Sequence, residues 1–163
     1  MNCVLVAAIA KNGIIGNQGK LPWTIPEELE WFRKRIKGSC VVVGRKTYQG
    51  LLNKGLGARE IGILGKNFDI TFCTNNKKLR IFNSVNDVVQ RWGNKNFLVI
   101  GGEEVYRSFF SIASSLELNF IQKCYAGDTY FPLKQLKSWR IVNFNSKYFE
   151  NIKINFTVWK KKN

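Results

Sequence analysis

Leu98-Val99-Ile100-Gly101-Gly102-Glu103-Glu104-Val105-Tyr106 is the stretch that decides the fold. Three apolar residues run without alternation into two glycines, and a helical pattern follows. A continuous apolar run fits a strand buried on both faces, as in a parallel sheet covered by helices. Val41-Val42-Val43-Gly44-Arg45-Lys46-Thr47 repeats the design, and Cys3–Ile9 is a third such run. Cys40–Val43 and Phe97–Ile100 are thus buried strands. Glu60–Leu64 and Leu79–Phe82 are shorter strand candidates. Helical patterns fall at Pro26–Ile36, Thr47–Leu52, Val85–Trp92 and Glu103–Phe109. Strand and helix alternate, which predicts an α/β fold with right-handed crossovers. The last third is β-rich: Leu116–Lys123, Trp139–Phe144 and Ile154–Lys160, the last two pairing antiparallel through Ser146–Asn151. The expectation is one domain with a central, mostly parallel mixed sheet of about eight strands, an antiparallel C-terminal edge and four flanking helices.

The chain has 163 residues, of which 45% are apolar, so it can bury a full-sized core and is not disordered. It carries 26 Lys and Arg against 11 Asp and Glu, a net charge of +15, which favours an acidic partner. The charge is spread out, and its knots at Arg33-Lys34-Arg35, Lys77-Lys78 and Lys160-Lys161-Lys162 read as solvated surface. The chain has no histidine. That excludes Ser-His-Asp and Cys-His triads, histidine acid–base work and histidine metal sites. The four cysteines, Cys3, Cys40, Cys73 and Cys124, form no C-x-x-C pair. Zinc and redox motifs are thereby disfavoured, and three of the four read as buried, reduced thiols in a cytoplasmic protein. Val4–Ala10 is too short to span a membrane and has no basic residues before it, so it reads as a strand.

Leu21-Pro22-Trp23-Thr24-Ile25-Pro26-Glu27-Glu28-Leu29-Glu30-Trp31-Phe32 reads as a helix start. Thr24 and Glu27 have capping-box spacing, and Pro26 falls in the first turn. At about 100° per residue, Ile25, Leu29, Phe32 and Ile36 share a face, and Glu28 lies about 40° from Phe32 on its flank. The preceding Asn12–Lys20 segment is long, glycine-punctuated and apolar in its middle, as in a loop that covers a ligand. At each strand–glycine–helix junction the glycine lets a ligand approach the backbone, and the helix start offers N–H groups to a phosphate. Arg45, Lys46 and Thr47 add charge and a hydroxyl. Neither junction is G-x-G-x-x-G or a P-loop, so a dinucleotide site is one of several readings of them.

Taken in order, the motifs resemble the chromosomal-type dihydrofolate reductase family over essentially the whole chain. They are Ala7-Ala8-Ile9-Ala10 with Gly13, Ile15 and Gly16; Leu21-Pro22-Trp23; Glu28-Leu29 with Phe32; Gly44-Arg45-Lys46-Thr47; Ile100-Gly101-Gly102 with Val105-Tyr106; and Gly127-Asp128-Thr129-Tyr130-Phe131-Pro132. The resemblance implies a single domain over 1–163 that reduces 7,8-dihydrofolate with hydride from NADPH. It implies that Glu28 anchors the pterin and assists its protonation, and that Trp23 helps order water beside it. Val6, Ala7, Ala8, Leu29, Phe32, Leu51, Leu56 and Ile100 would line the pocket for the pterin and benzoyl rings. Arg59 would bind the glutamate-tail carboxylate, a planar fork on a planar anion.

The cofactor would lie against Ala8, Ile15, Gly16, Gly44, Arg45, Lys46, Thr47, Leu64, Gly65, Lys66 and Thr129, and along Ile100, Gly101, Gly102, Glu103, Glu104, Val105 and Tyr106. Tyr106 would also border the substrate, Gly101 and Gly102 would be joined by a cis peptide, and Lys11–Leu21 would be a mobile lid. Three positions depart from the family pattern. Asn119 replaces a threonine beside the acid, Gly65-Lys66 replaces a hydroxyl pair at the 2′-phosphate, and the Gly55–Arg59 turn lacks prolines. Partners implied are dihydrofolate and antifolate inhibitors, with no metal, nucleic acid or membrane, and a monomer. The competing readings are the pyrimidine reductase of riboflavin synthesis, which shares the fold and cofactor, and a basic nucleic-acid-binding domain. The latter lacks a basic–aromatic stripe.

Overall fold

The computed structural model describes residues 1–51, 55–66 and 76–163. The eight-stranded sheet is built from β1 (Asn2–Ala10), β3 (Cys40–Gly44), β4 (Glu60–Leu64), β5 (Leu79–Phe82), β6 (Asn96–Val99), β7 (Ser115–Ile121), β9 (Trp139–Phe149) and β10 (Ile152–Lys161). Its order is β5-β4-β3-β6-β1-β7-β10-β9. Every pairing from β5 to β7 is parallel. Those of β10 with β7 and β9 are antiparallel. The helices are α1 (Pro26–Ile36), α2 (Arg45–Leu51), α3 (Val85–Trp92) and α4 (Glu103–Phe109), with a 3-10 turn at Leu133–Ser138. This is the expected architecture. The 3-10 turn was unforeseen, and so was a separate small sheet in which β2 (Ile14–Gly16) pairs with β8 (Thr129–Tyr130).

Because side chains alternate along a buried strand, the two faces of the sheet carry different clusters. Cys3, Leu5, Ala7 and Ile9 pack with Val105, Tyr106, Phe109 and Phe131. Val4 and Val6 pack on the other side with Val41, Val43, Tyr48, Ile100 and the half-buried Phe32, Leu51 and Leu56. A third cluster joins Trp23, Ile25, Ile121 and Ile154 beneath the start of α1.

Some boundaries move for physical reasons. Thr24 does not cap α1. The N-cap is Ile25, with no side-chain cap, and its carbonyl accepts the first helical bond from the Leu29 amide at 3.1 Å. Ile25 is buried in the third cluster, and that packing sets where the helix begins. A side-chain cap forms instead at α3, where Ser84 Oγ accepts from the Asp87 amide and Asp87 Oδ2 accepts from the amide of Asn83, just before the cap. Helix α2 starts at Arg45, two residues earlier than expected, and Leu52 lies outside the described residues. Strand β9 runs on to Phe149, past the expected turn at Ser146, because the ladder with β10 continues from Asn145↔Phe156 to Phe149↔Ile152. It forms one outer edge of the sheet, with Ile141, Val142, Phe144 and Tyr148 exposed.

Among the thiols, Cys3 and Cys40 are buried, and burial pushes Cys3 up to about 12, so it stays neutral. Cys124 is exposed. Cys73 lies outside the described residues.

Candidate active site

Strands β3 and β6 are neighbours, and each ends in a glycine junction that opens a helix. Their chain connections then leave in opposite directions across the sheet, a point where open α/β sheets form a ligand crevice at their carboxyl ends. The two junctions touch. The Gly44 amide donates to the Gly101 carbonyl at 2.7 Å, and the Ile100 amide to the Val42 carbonyl at 2.9 Å. The Gly101–Gly102 peptide is cis. A Cβ on Gly102 would stand 2.9 Å from Thr47 Oγ1, and one on Gly44 3.0 Å from Val105 Cγ2, so side chains there would push the junctions apart. Arg45 and Lys46 are exposed and have no ion pair among the described residues. Gly65 lies against Arg45, which brings the exposed Lys66 to the same edge. Glycine backbone, a hydroxyl and unpaired cations are suited to a phosphorylated cofactor.

Beside this crevice sits one buried acid. Glu28, in the first turn of α1, is 3% exposed. Burial raises its carboxyl to about 7, while the nearby Asn119 amide and Trp23 indole pull it down. Trp23 Nε1 and Asn119 Nδ2 are buried and complete no hydrogen bond of good geometry. Their proximity to Glu28 therefore acts as a local dipole field, and two donors and a carboxyl stand ready for a polar guest. Trp23 is held edge-on by Tyr125, with centroids 5.4 Å apart. Tyr106 donates its hydroxyl to the Val6 carbonyl at 2.8 Å, under Gly101. Burial and the Glu28 charge raise the phenol, which stays protonated.

The residues assigned by resemblance separate by face. Val6, Phe32, Leu51, Leu56 and Ile100 form the apolar wall beside Glu28. Ile15, Leu64, Val105 and Tyr106 pack in the cluster on the other side of the sheet. The Ala7 side chain packs with this second group, so only its backbone faces the wall side. Ala8 packs with Trp23's cluster, and Leu29 is half-buried on α1. Arg59 is exposed, its Nη2 3.2 Å from Cys40 Sγ. Glu104 is exposed, whereas Glu103 is engaged with Arg107 and with the Tyr130 amide.

The 11–21 segment is seated from two sides. Gly16 and Thr129 pair, the Asp128 amide donates to the Gly16 carbonyl, and Asp128 Oδ2 accepts from the Gln18 amide at 3.0 Å. On the other side a Cβ on Gly50 would stand 2.5 Å from the Gly19 carbonyl oxygen. Sequence reasoning gave no role to Asp128, Gly50 or the Arg35–Glu117 pair. The first two act through backbone contacts that leave no pattern. A separate surface cleft of about 420 Å³, floored by Phe110 and Trp139, lies past the far end of α4. Its cations are already engaged, Lys161 with the Ser111 carbonyl and Arg107 with Glu103, and it holds no acid–base pair.

Fold and site together form an α/β crevice in which glycine backbone and cations lie beside one buried carboxyl. The comparisons with known proteins agree. The family model described as dihydrofolate reductase matches residues 2–161, and the chain belongs to that family. It is similar to the dihydrofolate reductase of Buchnera aphidicola subsp. Baizongia pistaciae, 31% identical over 94% of this chain and 90% of the relative. It is also similar to dihydrofolate reductase type 1 of Escherichia coli, 29% identical over 99% of each chain. A structure of dihydrofolate reductase from Enterococcus faecalis, complexed with NADP(H) and RAB-propyl, shares the fold. Its TM-score is 0.87 at 23% identity, covering 99% of this chain and 97% of that one.

Proposed function

We propose that Glu28 anchors the pterin of 7,8-dihydrofolate and assists its protonation in the reaction that gives the family its name. By family, the chain is an NADPH-dependent oxidoreductase that makes 5,6,7,8-tetrahydrofolate. The observation that carries the assignment is the buried Glu28 carboxyl between two unpaired donors, beside an apolar wall. Its two oxygens suit the 2-amino and ring N–H groups of a pterin, a two-point charge-assisted contact. That contact fixes the ring, and the acid then favours delivery of a proton, through solvent, to the ring nitrogen next to the carbon being reduced. Trp23 and Asn119 flank the carboxyl and favour its charged form. Val6, Phe32, Leu51, Leu56 and Ile100 exclude water around the ring, and Arg59 receives the glutamate tail.

Bound NADPH supplies the hydride. For it, Arg45, Lys46 and Thr47 offer phosphate contacts, and Lys66 replaces by charge what the family's usual hydroxyl pair supplies at the 2′-phosphate. Gly101 and Gly102 bring the backbone close. The 11–21 segment, seated on Thr129 and Gly50, keeps water out during the transfer. We infer one domain over 1–163, acting as a cytoplasmic monomer. Among the described residues no helix is long and apolar enough to cross a membrane. Mixing the purified protein with NADPH and dihydrofolate, with NADH in parallel, tests the reading. Rapid, substrate-dependent loss of NADPH absorbance is expected, and none from folded protein refutes it.

A further inference from the structure

Arg35 was expected to be solvated surface. It instead turns inward, and its guanidinium grips Glu117 with Nε at 2.6 Å from Oε2 and Nη2 at 2.8 Å from Oε1. Two parallel charge-assisted bonds of this kind fix orientation as well as distance. Both side chains are partly buried, 32% and 19% exposed. Arg35 lies seven residues after Glu28, two helical turns or about 10.5 Å along the same stripe of α1. Glu117 lies two residues before Asn119 on β7, and so on the same face of the strand. Between the two contacts Trp31 of α1 rests on Phe156 of β10, with centroids 5.8 Å apart. The stripe Glu28, Trp31, Arg35 therefore lies over Asn119, Phe156 and Glu117.

We infer that Arg35 and Glu117 are positioning residues, whose forked pair holds α1 on β7 so that Glu28 meets its substrate between Trp23 and Asn119. The inference rests on the role proposed for Glu28. As a pair the two charges sum to zero, so α1 is clamped with no net charge added near the acid. The groups that bear on Glu28 from each packed element are few. Trp23 faces it from the loop, Asn119 from β7 and Tyr106 from α4, while the Arg35–Glu117 pair lies two helical turns along. On β10 the exposed Lys160 shares the face of Phe156 by alternation. On α1 Glu30 is exposed and paired with Lys34, and Glu27 is exposed. Breaking the Arg35–Glu117 pair from either end leaves one uncompensated charge about two helical turns along α1 from Glu28.

The test compares Arg35→Gln, Glu117→Gln and the charge swap R35E/E117R with the wild type. The readouts are the pH profile of kcat/KM for dihydrofolate and the Glu28 carboxyl signal by carbon-13 NMR in the ligand-free protein. Arg35→Gln should raise the apparent Glu28 ionisation and Glu117→Gln should lower it, each by about half a unit at low salt. Each single variant should lose several-fold in kcat/KM while NADPH affinity stays, and the charge swap should restore both readouts. A pure loss of packing would lower activity without opposite shifts. Shifts of the same sign, or none, in protein that keeps the wild-type circular dichroism overturn this inference alone. Wild-type turnover in Glu28→Gln overturns the Glu28 role and this inference with it.

Discussion

Replacing Glu28 with glutamine separates the chemistry of the site from its stability. Glutamine keeps nearly the same shape and loses the charge. Burial holds the wild-type carboxyl at about 7, against an ordinary 4.5. The folded protein keeps a proton there that the unfolded chain releases above about pH 4.5. Stability conferred by this group is therefore lost as the pH rises from about 4.5 through about 7. A displacement of about 2.5 units at 1.36 kcal/mol each is about 3 kcal/mol. For a chain of this length, that is about 6–12 °C in Tm. Glutamine carries no such penalty. Thermal denaturation of both proteins at pH 4 and pH 8 should show Glu28→Gln gaining that much on the wild type between the two pH values. Comparing the pair at each pH cancels the other titrating groups. Turnover of dihydrofolate should fall at least about 100-fold at pH 7, as for loss of a general acid–base group, with NADPH affinity nearly intact. An equal Tm difference at both pH values would refute the claim that the site holds its acid against a desolvation cost.

Gly50→Ala should lower kcat several-fold without lowering Tm, because its Cβ would meet the Gly19 carbonyl at 2.5 Å and unseat the covering loop. Alanine within a helix is otherwise favoured by about 1 kcal/mol, so a loss of Tm with unchanged kcat would locate the effect in α2 itself. Arg59→Ala should raise KM for dihydrofolate and leave a pteridine substrate lacking glutamate unaffected. Equal effects on the two substrates would refute the tail contact. Arg45→Ala and Lys66→Ala should raise KM for NADPH more than for NADH, and equal increases would show that neither residue reads the 2′-phosphate.

Much of the architecture was legible because buried parallel strands leave an unbroken apolar signature. Cys40–Val43, Glu60–Leu64 and Phe97–Ile100 emerged within a residue or so of their observed ends. The glycine junctions were legible too, since a side chain at Gly44 or Gly102 would crowd Val105 or Thr47. Pattern placed Glu28 on the flank of an apolar face, where a glutamate is ordinarily solvated, and resemblance gave it a role. The misses share a cause. The cap at Thr24 yielded to the burial of Ile25, a tertiary contact. The β2–β8 sheet is too short to leave a period. A motif carries no side-chain direction, so it did not separate the faces on which Val6 and Ala7 pack, whereas strand alternation does. Arg35 looked like part of a basic knot, because its partner is 82 residues away.

The outer strand β9 has consequences for how the protein must be handled. It is an eleven-residue edge strand whose outward backbone groups have no strand partner, with Ile141, Val142, Phe144 and Tyr148 exposed along it, and such an edge invites pairing between copies. Arg140 and Lys147 stand on the same strand, and every copy carries +15. Mutual repulsion is thus the colloidal safeguard of an otherwise adhesive edge. It weakens as salt shortens the screening length to about 8 Å near 0.15 M. It also fades as the pH nears the isoelectric point of about 9.9. Dilute, low-salt, neutral solutions keep the chain dispersed, and polyanions, by drawing copies together, undo that protection.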